Sequence, residues 1–460
     1  MQCLNKTIEY GLYLLVFLLP IQTRWIIKAG ETEYSTYSLY GTDILLIVLL
    51  ILFLIFNFQT KSKIQNPKYK IQFWRFILGL VLASAVSVFF AIDKLLALYK
   101  FGWLILGVGL FWLIISANYS KLKLIYALLT GVFLQAVLGI WQFLTQSSFA
   151  NKWLGMALHN PANLGVSVIE TIGPDSVSER WLRAYAGLDH PNMLGGVMVV
   201  GILLVIFLMI KSQKHALSES AGPIKSIKSK VLLLAAYYLL LATFSTALFF
   251  SFSRTAWLGL IVGLVVMIVL AIINKNLFWL KQVGKIILIM GILFFVLFSQ
   301  YQNLITSRLG GDGRLENKST SERLVSYQES WQMIKNNWAT GVGLGNYTYA
   351  LKRQVPSQES FYYQPAHNVF LLIWSEVGIV GLLFFTGLLF VIAIARSNFT
   401  YNNMLAILIA LIVIMSLDHW VLSLHFGILF FWLILGLTSH QIIYKNFYPK
   451  EHSATVPCIK

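Results

Sequence analysis

Cysteine is nearly absent from this chain. Cys3 and Cys458 stand at opposite ends and on the same expected side of a membrane, so no disulfide staples a loop and no cysteine-based metal site can form. Charge is scarce as well: 12% of residues are charged against 58% hydrophobic, with a mean hydropathy of +0.73. No water-soluble domain hides that much apolar surface, which makes this a polytopic membrane protein. The chain has no internal repeat, and no low-complexity tract beyond the Ser/Lys-rich linker 211–230. Only Lys6 precedes the core of the first apolar run and no small-x-small cleavage site follows it, so a retained helix is expected there, not a cleaved signal. There is no HExxH, paired-histidine cluster or DxD-like acidic pair, and the expectation is neither a metal nor another cofactor. Charge is missing from the middle of the apolar runs too. Asp43, Asp93, Lys100, Glu376 and Asp418 all lie toward outer ends, which weakens an ion-coupled transporter, since such proteins keep ionisable groups near the midplane.

What is present is length and apolar pattern. Runs long enough to cross a bilayer are read at 8–27, 41–58, 71–90, 95–115, 124–144, 191–210, 231–250, 256–273, 286–299, 375–395, 403–418 and 425–444, about twelve spans of an all-α bundle. The organisation expected is N-terminal helices 1–145, a first outer loop 146–190, central helices 191–298, a large outer loop 299–366, C-terminal helices 367–444 and a cytoplasmic tail 445–460. Orientation follows lysine and arginine. With the N-terminus inside, 20 cations and only Glu9, Glu219 and Glu451 face the cytoplasm, a balance of 20 − 3 = +17. The remaining 15 cations and 15 acids fall outside and cancel. The basic balance is therefore a topology signal and not a nucleic-acid footprint, and chemistry is expected on the extracytoplasmic side.

Four polar stretches converge on that side. The first runs from Ser176 to Asn192 and contains Arg180, Arg183, Gly187, His190 and Pro191. Ser176 and Glu179 have capping-box spacing, which predicts a short helix with Arg180 and Arg183 on one face, and Pro191 suits the first turn of the next span. The arginines are read either as solvated surface charges or as ligands. The second stretch is the tight turn Ser251–Arg254. Arg254 is either an interfacial arginine with its head in the polar layer or a guanidinium fork for a phosphate at headgroup depth. In the third, Ser319 and Glu322 again have capping-box spacing. Leu324, Tyr327, Trp331, Ile334 and Trp338 follow at helical steps, which predicts an amphipathic surface helix running to Gly341. Arg323 in its first turn points toward a site, and Trp331 and Trp338 are packing residues. The run Gly341-Val342-Gly343-Leu344-Gly345-Asn346 follows no strand and is not a dinucleotide fingerprint; flexible backbone around a ligand is the better expectation.

The fourth stretch is His367-Asn368 at the mouth of an apolar helix, followed by Glu376 and Gly378. A helix start offers unpaired N–H groups to an anion, and histidine is the side chain best suited to take a proton near neutral pH. Asn368 doubles as an N-cap. Glu376 lies too far along to orient His367, and Gly378 suggests a close helix contact. Asp418-His419 is a rival site but is read as the cap of the eleventh span.

Together these residues, Arg183-x-x-x-Gly187-x-x-His190-Pro191-Asn192, Ser253-Arg254, Arg323 before the glycine run, and His367-Asn368 with Glu376-x-Gly378, resemble the O-antigen ligase family. That family is related to the Wzy-type O-antigen polymerases and to bacterial protein O-oligosaccharyltransferases. The resemblance covers about residues 180–395, and the first five spans agree in hydropathy alone. It implies a metal-independent glycosyltransferase of the bacterial cytoplasmic (inner) membrane; the lysine asymmetry and twelve spans put both termini in the cytoplasm. Its donor would be a polyprenyl-diphosphate-linked glycan, and its acceptor a saccharide, a lipid A-core-like molecule or a protein. It implies His367 as the base, Arg183, Arg254 and Arg323 as partners of the diphosphate, and His190, Asn192, Asn368 and Glu376 in support. A polysaccharide polymerase shares these motifs. A transporter or flippase is the alternative of a different class, since relatives also carry a bicarbonate-transporter label.

Overall fold

The computed structural model describes residues 2–60, 68–172, 178–218, 224–310, 314–397 and 403–447. The tail beyond residue 447, Cys458 with it, and the middle of the 211–230 linker lie outside the described residues.

The chain opens with α1 (Gln2–Leu18). The sequence placed this first span at 8–27, but the helix stops at Leu18 because Pro20 supplies no N–H and restricts Leu19 before it. Residues expected to finish the span instead form β1 (Arg24–Lys28), paired antiparallel with β2 (Tyr37–Tyr40). Four apolar helices follow: α2 (Gly41–Thr60), α3 (Lys68–Phe90), α4 (Lys94–Ser116) and α5 (Lys121–Thr145). Asp93 and Ser120 cap α4 and α5 by accepting from Leu96 and Lys123 N–H groups, as short polar side chains do at helix starts.

The first outer loop carries the hairpin β3 (Val168–Ile172) and β4 (Ser178–Leu182). This corrects the helix expected around Arg180 and Arg183: Glu179 and Arg180 are in β4, and Ser176 lies outside the described residues. Cross-strand pairing won over the local capping signal, with Arg180 opposite Glu170 and Trp181 opposite Ile169.

The centre of the bundle is α6 (Pro191–Ser218), with Pro191 at its first position. Residues 191–210 of this helix are all buried, as expected of a helix apolar on every side. Around it run α7 (Ile224–Ser251), α8 (Arg254–Ile273) and α9 (Leu277–Gln300), the last starting well before the span expected at 286–299 because Asn276 caps it.

The large outer loop is mostly helical: α10 (Gln302–Leu309), α11 (Arg314–Asn337) and α12 (Tyr347–Gln354). α11 starts at Arg314, so Ser319 is inside the helix and is not its cap. The chain returns through α13 (Val369–Ser397), α14 (Asn403–Leu417), the single turn α15 (Trp420–Ser423) and α16 (His425–Phe447).

Among the described residues nine helices are long and apolar enough to cross a membrane: α2 to α9 and α13. Two shorter apolar stretches, Met404–Leu417 and His425–Ser439, hold the positions of the last two expected spans. α4 packs on α16, α3 on α13 and α8 on α14.

Candidate active site

β4 delivers Arg183 to the head of α6. Its side chain is 3% exposed, and its fork has an acceptor for each face. Nε donates to Ser251 O at 2.8 Å, Nη1 to Ser167 Oγ at 2.6 Å and Nη2 to Asn192 Oδ1 at 2.8 Å. Asn192, one residue into α6, passes the contact on: its Nδ2 donates to Asp418 Oδ2 at 2.7 Å, and its backbone N–H donates to His190 Nδ1 at 3.1 Å. An arginine and an aspartate far apart in sequence are thus joined through one amide.

Asp418 also accepts the backbone N–H of His419 at 2.8 Å. Burial alone would raise its carboxyl, but the surrounding His419, His367 and His190 imidazoles and the Asn192 amide hold it below the usual carboxylate range. His419 Nδ1 lies 2.7 Å from Ser423 Oγ. Asp418 and His419 follow the end of α14, where a cap of the eleventh span was expected. His419 occupies the N-cap position of α15 without a side-chain cap bond, and the Asp418 carboxylate turns to Asn192.

His367 arrives from the other direction. Asn368 caps α13, its Oδ1 accepting from Phe370 and Leu371 N–H groups at 2.9 and 3.1 Å, while its Nδ2 donates to Ser416 O at 3.0 Å. That double anchorage sets the imidazole of His367 5.0 Å, centroid to centroid, from that of His419. Its Nδ1 is buried and has no hydrogen-bond partner among the described residues. Burial lowers the His367 pKa below the usual histidine value, partly offset by Asp418. Burial likewise takes His190 and His419 down to about 3.

One ligating atom each from His367, Asp418 and His419 falls within 4.8 Å of the others. Imidazole and carboxylate are ligands a divalent cation accepts, and the sequence showed no such cluster because its members come from opposite ends of α13 and α14. The hydrogen bonds that Asp418 and His419 already make account for the same residues without an ion.

His367 stands on the wall between two spaces. One is a bowl of about 1120 Å³ lined by Arg180, Arg183, Arg308, Arg314, Lys318 and Arg323, with Glu322 the acid in its lining; His190, Asn192 and His367 complete one side. Glu170 holds the rim, 2.7 Å from Arg314 and 3.7 Å from Arg180. Arg308 is 7% exposed and donates from Nε to Phe252 O at 3.1 Å. A concave wall of like charge concentrates counter-ions, and arginine forks suit phosphate oxygens. The second space is a chamber of about 820 Å³ on which His367, Asp418, His419, Glu33, Tyr34 and Asp189 open. Beyond it lies an apolar cleft of about 810 Å³, with Leu80, Leu104, Phe385 and Phe431 in its walls and Tyr34 shared with the chamber.

The structure therefore brings Arg183, His190, Asn192, Arg323 and His367 to one place. Arg254 is not brought there: it opens α8, half-buried, and does not line the bowl. Glu376 lines the apolar cleft, with its carboxylate accepting the Gly345 and Tyr347 N–H groups at 2.8 and 3.3 Å. Gly378, at φ +81°, breaks α13, and a Cβ there would run into the Ala339 carbonyl. The break frees carbonyls that the loop uses: Val342 N–H donates to Ser375 O at 2.8 Å and Gly343 N–H to Glu376 O at 3.0 Å. The glycine run is thus fixed by packing, contrary to the flexible ligand loop expected. Gly343 sits at φ +100° with Ala91 where a Cβ would be.

Sequence reasoning missed Arg308, Arg314 and Lys318. The available signal was the helical spacing of Arg308 from Leu304 and Ile305, hidden inside a stretch read as a polar loop.

Residues 237–386 match the family model described as O-antigen ligase, and the chain carries that family's domain over those residues. No curated protein matches the chain. The matched stretch holds Arg254, Arg308, Arg323, His367 and Glu376; Arg183, Asn192 and the Asp418-His419 pair lie outside it.

Proposed function

We propose that this multi-pass membrane protein, with its O-antigen ligase domain, transfers a glycan from a polyprenyl diphosphate to an acceptor hydroxyl on the outer face of the bacterial cytoplasmic membrane. The observation that carries the reading is the cation-lined bowl ending at an imidazole whose Nδ1 has no partner. In the reaction, the acceptor oxygen attacks the anomeric carbon and its proton passes to His367. The bond from that carbon to the diphosphate oxygen breaks, and the electron pair leaves on the diphosphate. The bowl supplies what that leaving group needs, fixed positive charge in a partly closed space. Burial keeps His367 neutral and able to take a proton. The carboxylate of Asp418, held by Asn192 and the His419 N–H, faces the imidazolium that forms.

Arg183 and Arg323 are proposed as diphosphate partners together with Arg308, whereas a part for Arg254 rests on the family resemblance. His190, Asn192 and Asn368 are proposed as supports of the site, and Glu376 as the support of the adjoining loop. The reaction as proposed needs no metal. A polymerase would use the same chemistry with a second lipid-linked glycan as acceptor. The test separates donor capture from transfer: Arg308→Ala and His367→Ala should fail at different steps.

A further inference from the structure

The chamber on the other side of His367 shares Gly165, Val166, His190, Asn192 and Gln364 with the bowl, but the rest of its lining differs in charge. Among the described residues no lysine or arginine lines it, and three carboxyls do: Glu33, Asp189 and Asp418. They come from separate places in the chain, a short 3-10 turn after β1, the residue before His190, and the link between α14 and α15. Asp418 is already satisfied by Asn192 and the His419 N–H.

Glu33 and Asp189 act on one another. Being enclosed by protein, and then the neighbouring Asp189, push the Glu33 carboxyl up to about 7, although its side chain is exposed on the chamber. Burial also raises Asp189. Arg24 and Lys100 draw on Glu33, and Arg24 and His425 on Asp189; Arg24 donates to Tyr40 at 3.3 Å, and none of the three lines the chamber.

The rest of the wall is mixed: Tyr34, Tyr185 and Trp420 stand among four histidines, the amides Asn192 and Gln364, and a few small or apolar residues. Trp420 is 1% exposed, and its indole N–H, like His367 Nδ1, has no partner. Buried polar atoms rarely stay unpaired without a reason. Carboxyls that accept hydroxyl protons, with imidazole and amide groups beside them, are what a sugar ring can use. A ligand that brought its own negative charge would meet carboxyls with no cation in the lining to offset them.

Resting on the glycan-transfer reading, we propose that this chamber is the acceptor site and that it admits an uncharged or amine-bearing sugar while rejecting uronic acids and sugar phosphates. The leaving diphosphate belongs with the cations of the bowl. The base must touch the attacking hydroxyl, and His367 lines both spaces.

The test uses the full chain in lipid nanodiscs at pH 8 and saturation-transfer NMR with simple probes. These are the methyl glycosides of glucose, galactose, rhamnose, N-acetylglucosamine and glucosamine, against methyl glucuronide and glucose 6-phosphate. At least one uncharged or amino glycoside should bind, with the two acids at least tenfold weaker. Combining Glu33→Gln with Asp189→Asn should close most of that gap while leaving capture of farnesyl diphosphate unchanged, which also reports that the variant is folded. Equal binding of the acids to the wild-type protein, binding of none of the neutral or amino glycosides, or a gap that persists in the folded double variant would each overturn the proposal. Failure of farnesyl diphosphate to bind the wild-type protein counts against the glycan-transfer reading and is scored apart from sugar selectivity.

Discussion

Replacing Asn192 tests whether the two halves of the site work as one. Its amide is the link between Arg183 and Asp418, through bonds of 2.8 and 2.7 Å, and the residue is 8% exposed. Hydrogen bonds to charged groups contribute about 1.5–3 kcal/mol each, so Asn192→Ala has an upper bound of roughly 3–6 kcal/mol if both charges stay dry. Asn192 borders both the bowl and the chamber, and water entering from either side can bond the stranded groups, which lowers the cost. We expect a loss of about 2–3 kcal/mol in transition-state stabilisation, about 30- to 150-fold in transfer rate.

Asn192→Asp keeps the shape and the contact with Arg183 but sets a second carboxyl against Asp418. Two carboxylates at that spacing cannot both ionise, so the negative charge facing His367 is altered while the fold is kept. The assay is transfer of a radiolabelled lipid-linked glycan by purified protein in nanodiscs, with thermal unfolding followed by tryptophan fluorescence. If Asn192→Ala melted and transferred like the wild type, the amide link would carry no weight and the coupling argued here would be wrong.

Three further outcomes follow from the same geometry. Because burial lowers the His367 pKa, its proton-accepting form persists below the ordinary histidine range; the transfer rate should stay level through neutral pH and fall as pH drops through that lowered value, and a fall already under way above pH 7 would contradict it. Transfer should persist in excess EDTA, whereas abolition by chelator with rescue by an added divalent ion would make His367, Asp418 and His419 a metal site. Reporter fusions at Lys228 and Gln328 should read cytoplasm and exterior respectively, and a result with both on one side would remove the basis for an extracytoplasmic site.

Much of the architecture was legible because hydropathy is a local property. Runs of apolar residues as long as those of α2, α4, α6 and α8 leave a chain few choices. The ends were less legible: Pro20 marks the stop of α1, but Trp25, Ile26 and Ile27 are as apolar as a span and become strand only by pairing with β2. Both capping boxes misled for a related reason. The signal is a short polar spacing, and at Glu179 a strand partner overrode it, while at Ser319 the helix had already begun at Arg314.

Within the site, His190, Pro191 and Asn192 could be read as a unit because they are contiguous, and His367-Asn368 because a helix starts there. Asp418 could not be tied to them, since its hydrogen bond to Asn192 joins residues 226 positions apart in sequence. Arg308 was concealed by its setting, a short helix in an otherwise polar loop, where nothing local distinguishes a buried guanidinium from a solvated one.

The central claim is that donor capture and proton removal belong to different residues, and one comparison tests it directly. In nanodiscs, binding of the lipid-diphosphate glycan and single-turnover transfer are measured side by side for wild type, His367→Ala and Arg308→Ala at matched folded protein. General-base catalysis contributes about 10²–10⁴-fold, roughly 3–5 kcal/mol, so His367→Ala should lose turnover by that factor and bind donor nearly as the wild type does. Arg308→Ala should weaken donor binding about tenfold or more along with transfer, with Arg308→Lys recovering only part because it lacks the planar fork. A well-folded His367→Ala protein that transfers glycan at the wild-type rate would contradict the account.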